Sequence, residues 1–186
     1  MQYPLKFISK TDDKALTTDA LTLASVVERL LFLDSDETLV ENGFLAENSL
    51  ADLAEVYMSD LLGDHVSQQY DNTFPSVAEL LKTPAPTKVL KVPSDKDNVC
   101  HLLDSDSYTL NVMNLDRALR RDYYILDSFV ILYCVEGVGR IAYGDKSELM
   151  RKSDVFVVPA DLHEVTLVPS ANMCLLELYI PTKEKE

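Results

Sequence analysis

The sequence predicts a mainly β fold: short antiparallel strands closed into a sandwich or barrel, with helices packed on it from the N-terminal side. Three observations predict it. From residue 88 onward the chain breaks into short runs rich in β-branched and aromatic residues, separated by Gly, Pro, Asp and Ser at roughly regular spacing. Residues 1–82 carry apolar residues at helical spacing instead, so the period changes once along the chain. Hydrophobic residues make up 47% of the 186 positions, enough to fill the core of one domain or of a domain with a subsidiary lobe.

The elements follow in order. In "TTDALTLASVVERLLFL", Leu23, Val26, Val27, Leu30 and Leu31 fall on one helical face, and Asp19 offers a cap. The pattern predicts a helix over 19–32, although a segment this rich in Val and Leu also suits a strand. "NSLADLAEVYMSDLLGD" is a firmer helix. Asn48 or Ser49 caps it, Leu50, Leu53, Ala54, Tyr57, Leu61 and Leu62 form its apolar face, and Gly63 stops it. "PSVAELLK" is a short third helix with Pro75 in its first turn. "TPAPTK", residues 83–88, marks a boundary between an N-terminal lobe, 1–82, and a barrel, 83–182. The strand runs are "KVLKV", "SYTLNVMNL", "DSFVILYCV", "RIAYG", "SDVFVVP", "HEVTLVP" and "MCLLELYIP", and a charged tail at 183–186 is expected to fray. Residues 127–145 read as strand, tight turn, strand, broken at Glu136 to Gly139. Several runs are apolar on both faces, so the N-terminal helices are the natural cover for their outer side.

Composition narrows the function. A net charge of −14 argues against nucleic acid and against an anionic membrane surface, which need clustered Lys and Arg. No 18-residue apolar run suggests a membrane span, and "MQYPLKFISKTDD" lacks the apolar core of a signal peptide. Cys100, Cys134 and Cys174 are odd in number and irregular in spacing, as reduced thiols of a cytoplasmic protein would be.

Chemistry-bearing motifs are scarce. Metal-binding members of the small jelly rolls called cupins place His-x-His and a Glu on the strand before a Gly-bearing hairpin, and a second His five residues after a Pro. Inward side chains of adjacent strands then converge on one cation. Here "LRRDYYILDSFVILYCVEG" holds no His, and Arg120, Arg121 and Asp122 stand in that place. His163 falls four residues after Pro159, and in a strand a shift of one reverses the face. His163 is therefore expected to point outward. His65 follows a helix stop and should be exposed, while Cys100-His101 has no second pair to complete a site. No phosphate loop or nucleophile elbow is present, and Asp104/Asp106 and Asp34/Asp36/Glu37 lie in polar turns. Arg117, Arg120 and Arg121 form a local cluster of the kind that suits a phosphate, although a solvated turn explains it equally. Tyr133 shares a strand face with Phe129 and Ile131, which suits core packing. Arg121, Tyr133 and His163 are the ligand-binding candidates; no residue stands out as catalytic or metal-ligating.

The stretches "SYTLNVMNLDRALRRDYYILDSFVILYCVEGVGRI" and "SDVFVVPADLHEVTLVPSANMCLLELYIP" resemble the C-terminal cupin half of type I mannose-6-phosphate isomerases, especially the short bacterial form. "YPLKF" resembles their opening, and "VENGFLAENSLADLAEVYMSDLLGDHV" resembles their Asn-Gly-Phe-Leu strand and the helix after it. The resemblance implies a cupin-like jelly-roll barrel (a double-stranded β-helix) with the helical lobe packed on it. It also implies zinc, held in that family by a Gln-x-His-Pro motif, a Glu in Lys-x-Glu and a later His, together with a catalytic Arg and a Trp-bearing segment. This chain contains no Gln-x-His-Pro motif and no Trp. No catalytic residue carries over, and no zinc cofactor is expected because its ligands are absent. The family places a strand pair where periodicity here predicts the helix of 19–32. The implied protein is a degenerate, non-catalytic isomerase relative acting as a carbohydrate-binding, regulatory or interaction module, with a sugar or sugar phosphate as ligand and a homodimer as assembly. The alternative is a residual sugar-phosphate isomerase, or another cupin enzyme, using a non-standard site or a partner chain.

Overall fold

The computed structural model describes residues 1–8, 15–70, 75–81, 98–104 and 107–182. Among them the strands are β1 (Leu5–Ile8), β2 (Asn98–Asp104), β3 (Thr109–Leu115), β4 (Leu119–Asp122), β5 (Val130–Glu136), β6 (Val138–Tyr143), β7 (Lys146–Arg151), β8 (Asp154–Val158), β9 (Glu164–Pro169) and β10 (Met173–Tyr179). The helices are α1 (Leu23–Leu30), α2 (Leu50–Leu62), α3 (Asp64–Gln69) and α4 (Val77–Leu80).

Among the described residues the strand pairs are antiparallel, in two sheets with the orders β1-β8-β5-β10-β3-β2 and β4-β9-β6-β7. Between β3 and β10 the chain crosses repeatedly from one sheet to the other, giving the two four-stranded halves of a jelly roll, β8-β5-β10-β3 and β4-β9-β6-β7. β1 and β2 extend the edges of the first half. The fold is thus the mainly β barrel that the sequence predicts.

Two apolar clusters hold it together. The first lies between the sheets, where Met113, Val130, Leu132, Cys134, Phe156 and Leu175 of the large sheet meet Ile141, Met150, Val165 and Leu167 of the small one. The second lies on the outer face of the large sheet, where Leu5, Phe7, Val112, Ile131, Tyr133, Val157 and Leu176 pack under Leu23, Val26, Leu30, Leu53, Leu61 and Leu62 of α1 and α2. Strands such as β5, β8 and β10 are buried on both faces because each face has its own cluster. The N-terminal helices are the cover that these doubly apolar runs require.

Local chemistry sets the boundaries. Residues 23–30 are helical, which settles the segment 19–32 in favour of helix, flanked by single 3-10 turns at Thr18–Ala20 and Leu31–Asp34. Its cap is Thr22 rather than Asp19. The Thr22 hydroxyl accepts from Ser25 N, and Ser25 Oγ accepts from Thr22 N. Ser49 and Asp52 cap α2 in the same reciprocal way. Pro75 stands one residue before the α4 cap, Ser76. The β5–β6 turn is tighter than Glu136 to Gly139: Gly137 alone, at φ 92°, reverses the chain. β1, β4 and β7 are short strands carrying polar residues, which hides them from an apolar-run reading. The boundary at 83–88, the strand "KVLKV" and the tail 183–186 lie outside the described residues. Among the described residues no helix is long and apolar enough to cross a membrane.

Candidate functional site

The barrel interior is the first place to look for a site, because its side chains converge. Strand register lines up one row across the inner face of the large sheet: His101, Asn111, Glu177, Leu132, Phe156 and Lys6. Glu177 sits in the middle of this row with no solvent exposure. Burying a carboxylate costs several kcal/mol unless it is paired and fully hydrogen-bonded, and here it is both. Oε1 accepts from Arg121 Nε at 2.8 Å and from Tyr123 OH at 2.7 Å. Oε2 accepts from Arg121 Nη2 at 2.7 Å and from Asn111 Nδ2 at 2.8 Å. Arg121 therefore binds in the two-pronged geometry that suits a guanidinium best.

Arg121 and Tyr123 arrive from the other sheet. In β4 and the residue after it, Leu119, Arg121 and Tyr123 alternate inward, while Arg120 and Asp122 face solvent and Arg120 pairs with Glu164. Burial disfavours the Arg121 cation, but the hydrogen bonds and charge of Glu177 outweigh that and leave its pKa above the ordinary arginine value. Burial, and then the Glu177 charge, push the Tyr123 phenol well above its usual pKa. Asn111 passes the network outward. Its Oδ1 lies 2.8 Å from His101 Nδ1, and His101 Nε2 lies 3.8 Å from Asp104 Oδ2 at the exposed edge strand. At the other end of the row Lys6 Nζ donates to Asp154 Oδ2 at 2.8 Å and to the Leu149 carbonyl at 2.9 Å.

The three ligand-binding candidates do not meet. Arg121 is inside, committed to Glu177. Tyr133 is on the opposite face of the large sheet, under the helices, where its hydroxyl accepts from Leu16 N at 3.3 Å and the Arg29 guanidinium lies over its ring. His163 is exposed just before β9, edge-on to Tyr124 at 5.0 Å, and contributes its carbonyl to Tyr123 N. His65 is half-buried rather than exposed, because the short helix α3 folds back beneath Asp127, which accepts from His65 N. Among the described residues no three His, Cys, Asp or Glu side chains converge as a metal cluster would. Sequence reasoning passed over Glu177. The signal was there: a carboxylate in "CLLELYI", with apolar neighbours on both faces, has to be buried and has to find a cation.

Outside the barrel, a groove of about 970 Å³ runs between the β6–β7 hairpin, the end of α2 and the N-terminal segment. Its walls are aromatic: Tyr3, Phe44, Tyr57 and Tyr143. Tyr3 and Phe44 lie 5.6 Å apart at 56°, and the Tyr3 hydroxyl is fixed by Leu45 N at 2.9 Å. Tyr143 OH donates to Glu148 Oε1 at 3.3 Å. The Tyr3 and Tyr143 phenols are both pushed up by burial, with the nearby Glu148 carboxylate adding to it.

No family model matches this chain, and no curated protein does. Parts of solved structures are similar. The mannose 6-phosphate isomerase of Bacillus subtilis is 22% identical over 42% of this chain and 24% of its own, with a TM-score of 0.37. The apo mannose 6-phosphate isomerase of Salmonella typhimurium is 17% identical over 59% of this chain and 29% of its own, with a TM-score of 0.42. A cupin superfamily protein from Desulfitobacterium hafniense is 14% identical over 50% of this chain and 85% of its own, with a TM-score of 0.41. The matched part of this chain thus spans 24–29% of the length of the two isomerases. The jelly roll itself rests on the strand order of this chain.

Proposed function

We propose that this chain is a cupin-like relative of the mannose-6-phosphate isomerases that works as a non-catalytic interaction module. One observation carries the reading: the interior carboxylate, Glu177, has both oxygens filled by Arg121, Tyr123 and Asn111. A general base needs a free lone pair within reach of a substrate proton, and a Lewis-acid site needs open ligand atoms. Glu177 offers neither without breaking a buried ion pair. Around it, among the described residues, Met113, Leu132, Phe156 and Leu175 pack the interior. The Gln-x-His-Pro motif of the isomerases is missing from the sequence. A packed barrel under a packed lobe leaves the outer surface as the place where this protein meets its partners.

The test uses the full chain, purified and incubated with Zn²⁺, Mn²⁺, Fe²⁺ or Ni²⁺ and then desalted. Retained metal should be well below one equivalent, and mannose 6-phosphate should not turn over to fructose 6-phosphate above the blank. One equivalent of retained metal together with measurable turnover would sink the reading.

A further inference from the structure

We propose that the outer aromatic groove binds a basic segment of a partner protein; this rests on the reading of the chain as an interaction module and names the partner's chemistry. Phe44 is 80% exposed, its ring centroid 5.6 Å from that of Tyr3. It stands at the rim of a groove whose other aromatic rings, Tyr3, Tyr57 and Tyr143, are held inside the fold. Faces of aromatic rings attract ammonium and guanidinium groups, and more so when partly desolvated.

The charges in the groove agree. Asp60 and Asp161 lie together on one side, where the Met1 ammonium pairs with both, 2.7 Å from Asp161 Oδ2 and 3.9 Å from Asp60 Oδ2. Asp145 and Glu148 come from the β6–β7 hairpin on the other. Lys146 is the one basic side chain among the lining residues. Four carboxylates against the Met1 ammonium and Lys146 leave the groove net negative, with Asp145 and Glu148 on the hairpin as the acids open to a ligand's cations. A volume of about 970 Å³ is also far larger than one ammonium group needs. Both features fit a peptide segment carrying several Lys or Arg better than a small cation. The same acids repel a sugar phosphate.

The experiment measures fluorescence anisotropy of a labelled eight-residue peptide alternating Arg or Lys with Ser, against the full chain. Binding should weaken at least tenfold between 50 and 300 mM salt, and at least tenfold in Phe44→Ala and in Glu148→Gln. Phe44 is exposed, so its truncation leaves the fold intact, and unchanged unfolding midpoints verify both variants. Glu55→Gln removes the same charge from an exposed site on α2 outside the groove and should leave binding unchanged. No binding, equal binding by a peptide with Gln at every basic position, or an equal loss in Glu55→Gln would overturn the proposal. So would tetramethylammonium competing as well as the peptide does, since the site would then be one for a small cation. Peptide binding that fails while the metal and turnover assays stay blank removes the groove alone; turnover with intact peptide binding removes only the non-catalytic reading.

Discussion

At the scale of single residues, burial decides what each ionisable group can do. Glu177 and Arg121 show how much of this is legible in a sequence. Arg121 is readable as a cation on a short strand, and period-two alternation with Leu119 and Tyr123 places it inward. That its partner is Glu177, 56 residues away, follows only from which sheets face each other. The cysteines are simpler. Cys134 and Cys174 are buried, and burial pushes both thiols up to about 12. In the unfolded chain they ionise near their ordinary value, so above about pH 9 the unfolded state binds fewer protons than the folded one. The contribution is complete below that pH and is lost as pH rises towards 12, with a ceiling on the order of 4 kcal/mol per thiol. Urea midpoints should therefore fall steeply between pH 8.5 and 10, before the tyrosines of the unfolded chain ionise. A Cys134→Ala/Cys174→Ala variant should be less stable at pH 7 yet show a flatter decline. An unchanged slope in that variant would show that other groups control the alkaline limb.

At the scale of elements, the lobe and the barrel are joined through backbone as well as side chains. The carbonyls at the end of α2 lack helical partners, and the β8–β9 turn supplies them: Ala160 N donates to Leu61 O at 3.0 Å and Asp161 N to Asp60 O. Asp127, just before β5, accepts from Asp64 N and His65 N at the start of α3. Gly63 makes this junction possible. It sits at φ 88°, and a Cβ there would lie 2.2 Å from the Asp127 carbonyl oxygen. The sequence marks Gly63 as a helix stop; the close approach from a residue 64 positions later is a tertiary fact that no local pattern encodes. Gly144 also has positive φ, at 54°, but a Cβ there meets nothing within 4 Å. Gly144→Ala should cost about 1 kcal/mol, the backbone penalty alone. Gly63→Ala should cost roughly 3 kcal/mol or more, because the carbonyl must also move. Denaturation midpoints of the two variants check this, and equal losses would mean that the junction yields easily.

At the scale of the whole molecule, the large sheet is a shared wall. Its inner face closes the barrel, and its outer face is the floor of the helical lobe, so neither cluster is complete without it. β1 binds the two parts further, because a strand from the N-terminal segment is hydrogen-bonded to β8 of the jelly roll. The change of period near residue 83 reads as a boundary between two units, and the shared wall predicts that the two unfold together. Burying a Leu, Val or Phe is worth about 1.5–3 kcal/mol. The outer cluster takes Leu110, Val112, Ile131, Tyr133, Val155, Val157, Leu176 and Leu178 from the sheet alone. Exposing that face would remove as much as, or more than, the roughly 5–15 kcal/mol by which domains of this size are stable. The full chain should therefore unfold in one transition, with far-ultraviolet circular dichroism and tyrosine fluorescence giving the same midpoint. The barrel strands expressed alone, residues 98–182, should aggregate or bind a hydrophobic dye. A soluble, monomeric fragment with its own cooperative transition would show instead that the barrel stands without the lobe.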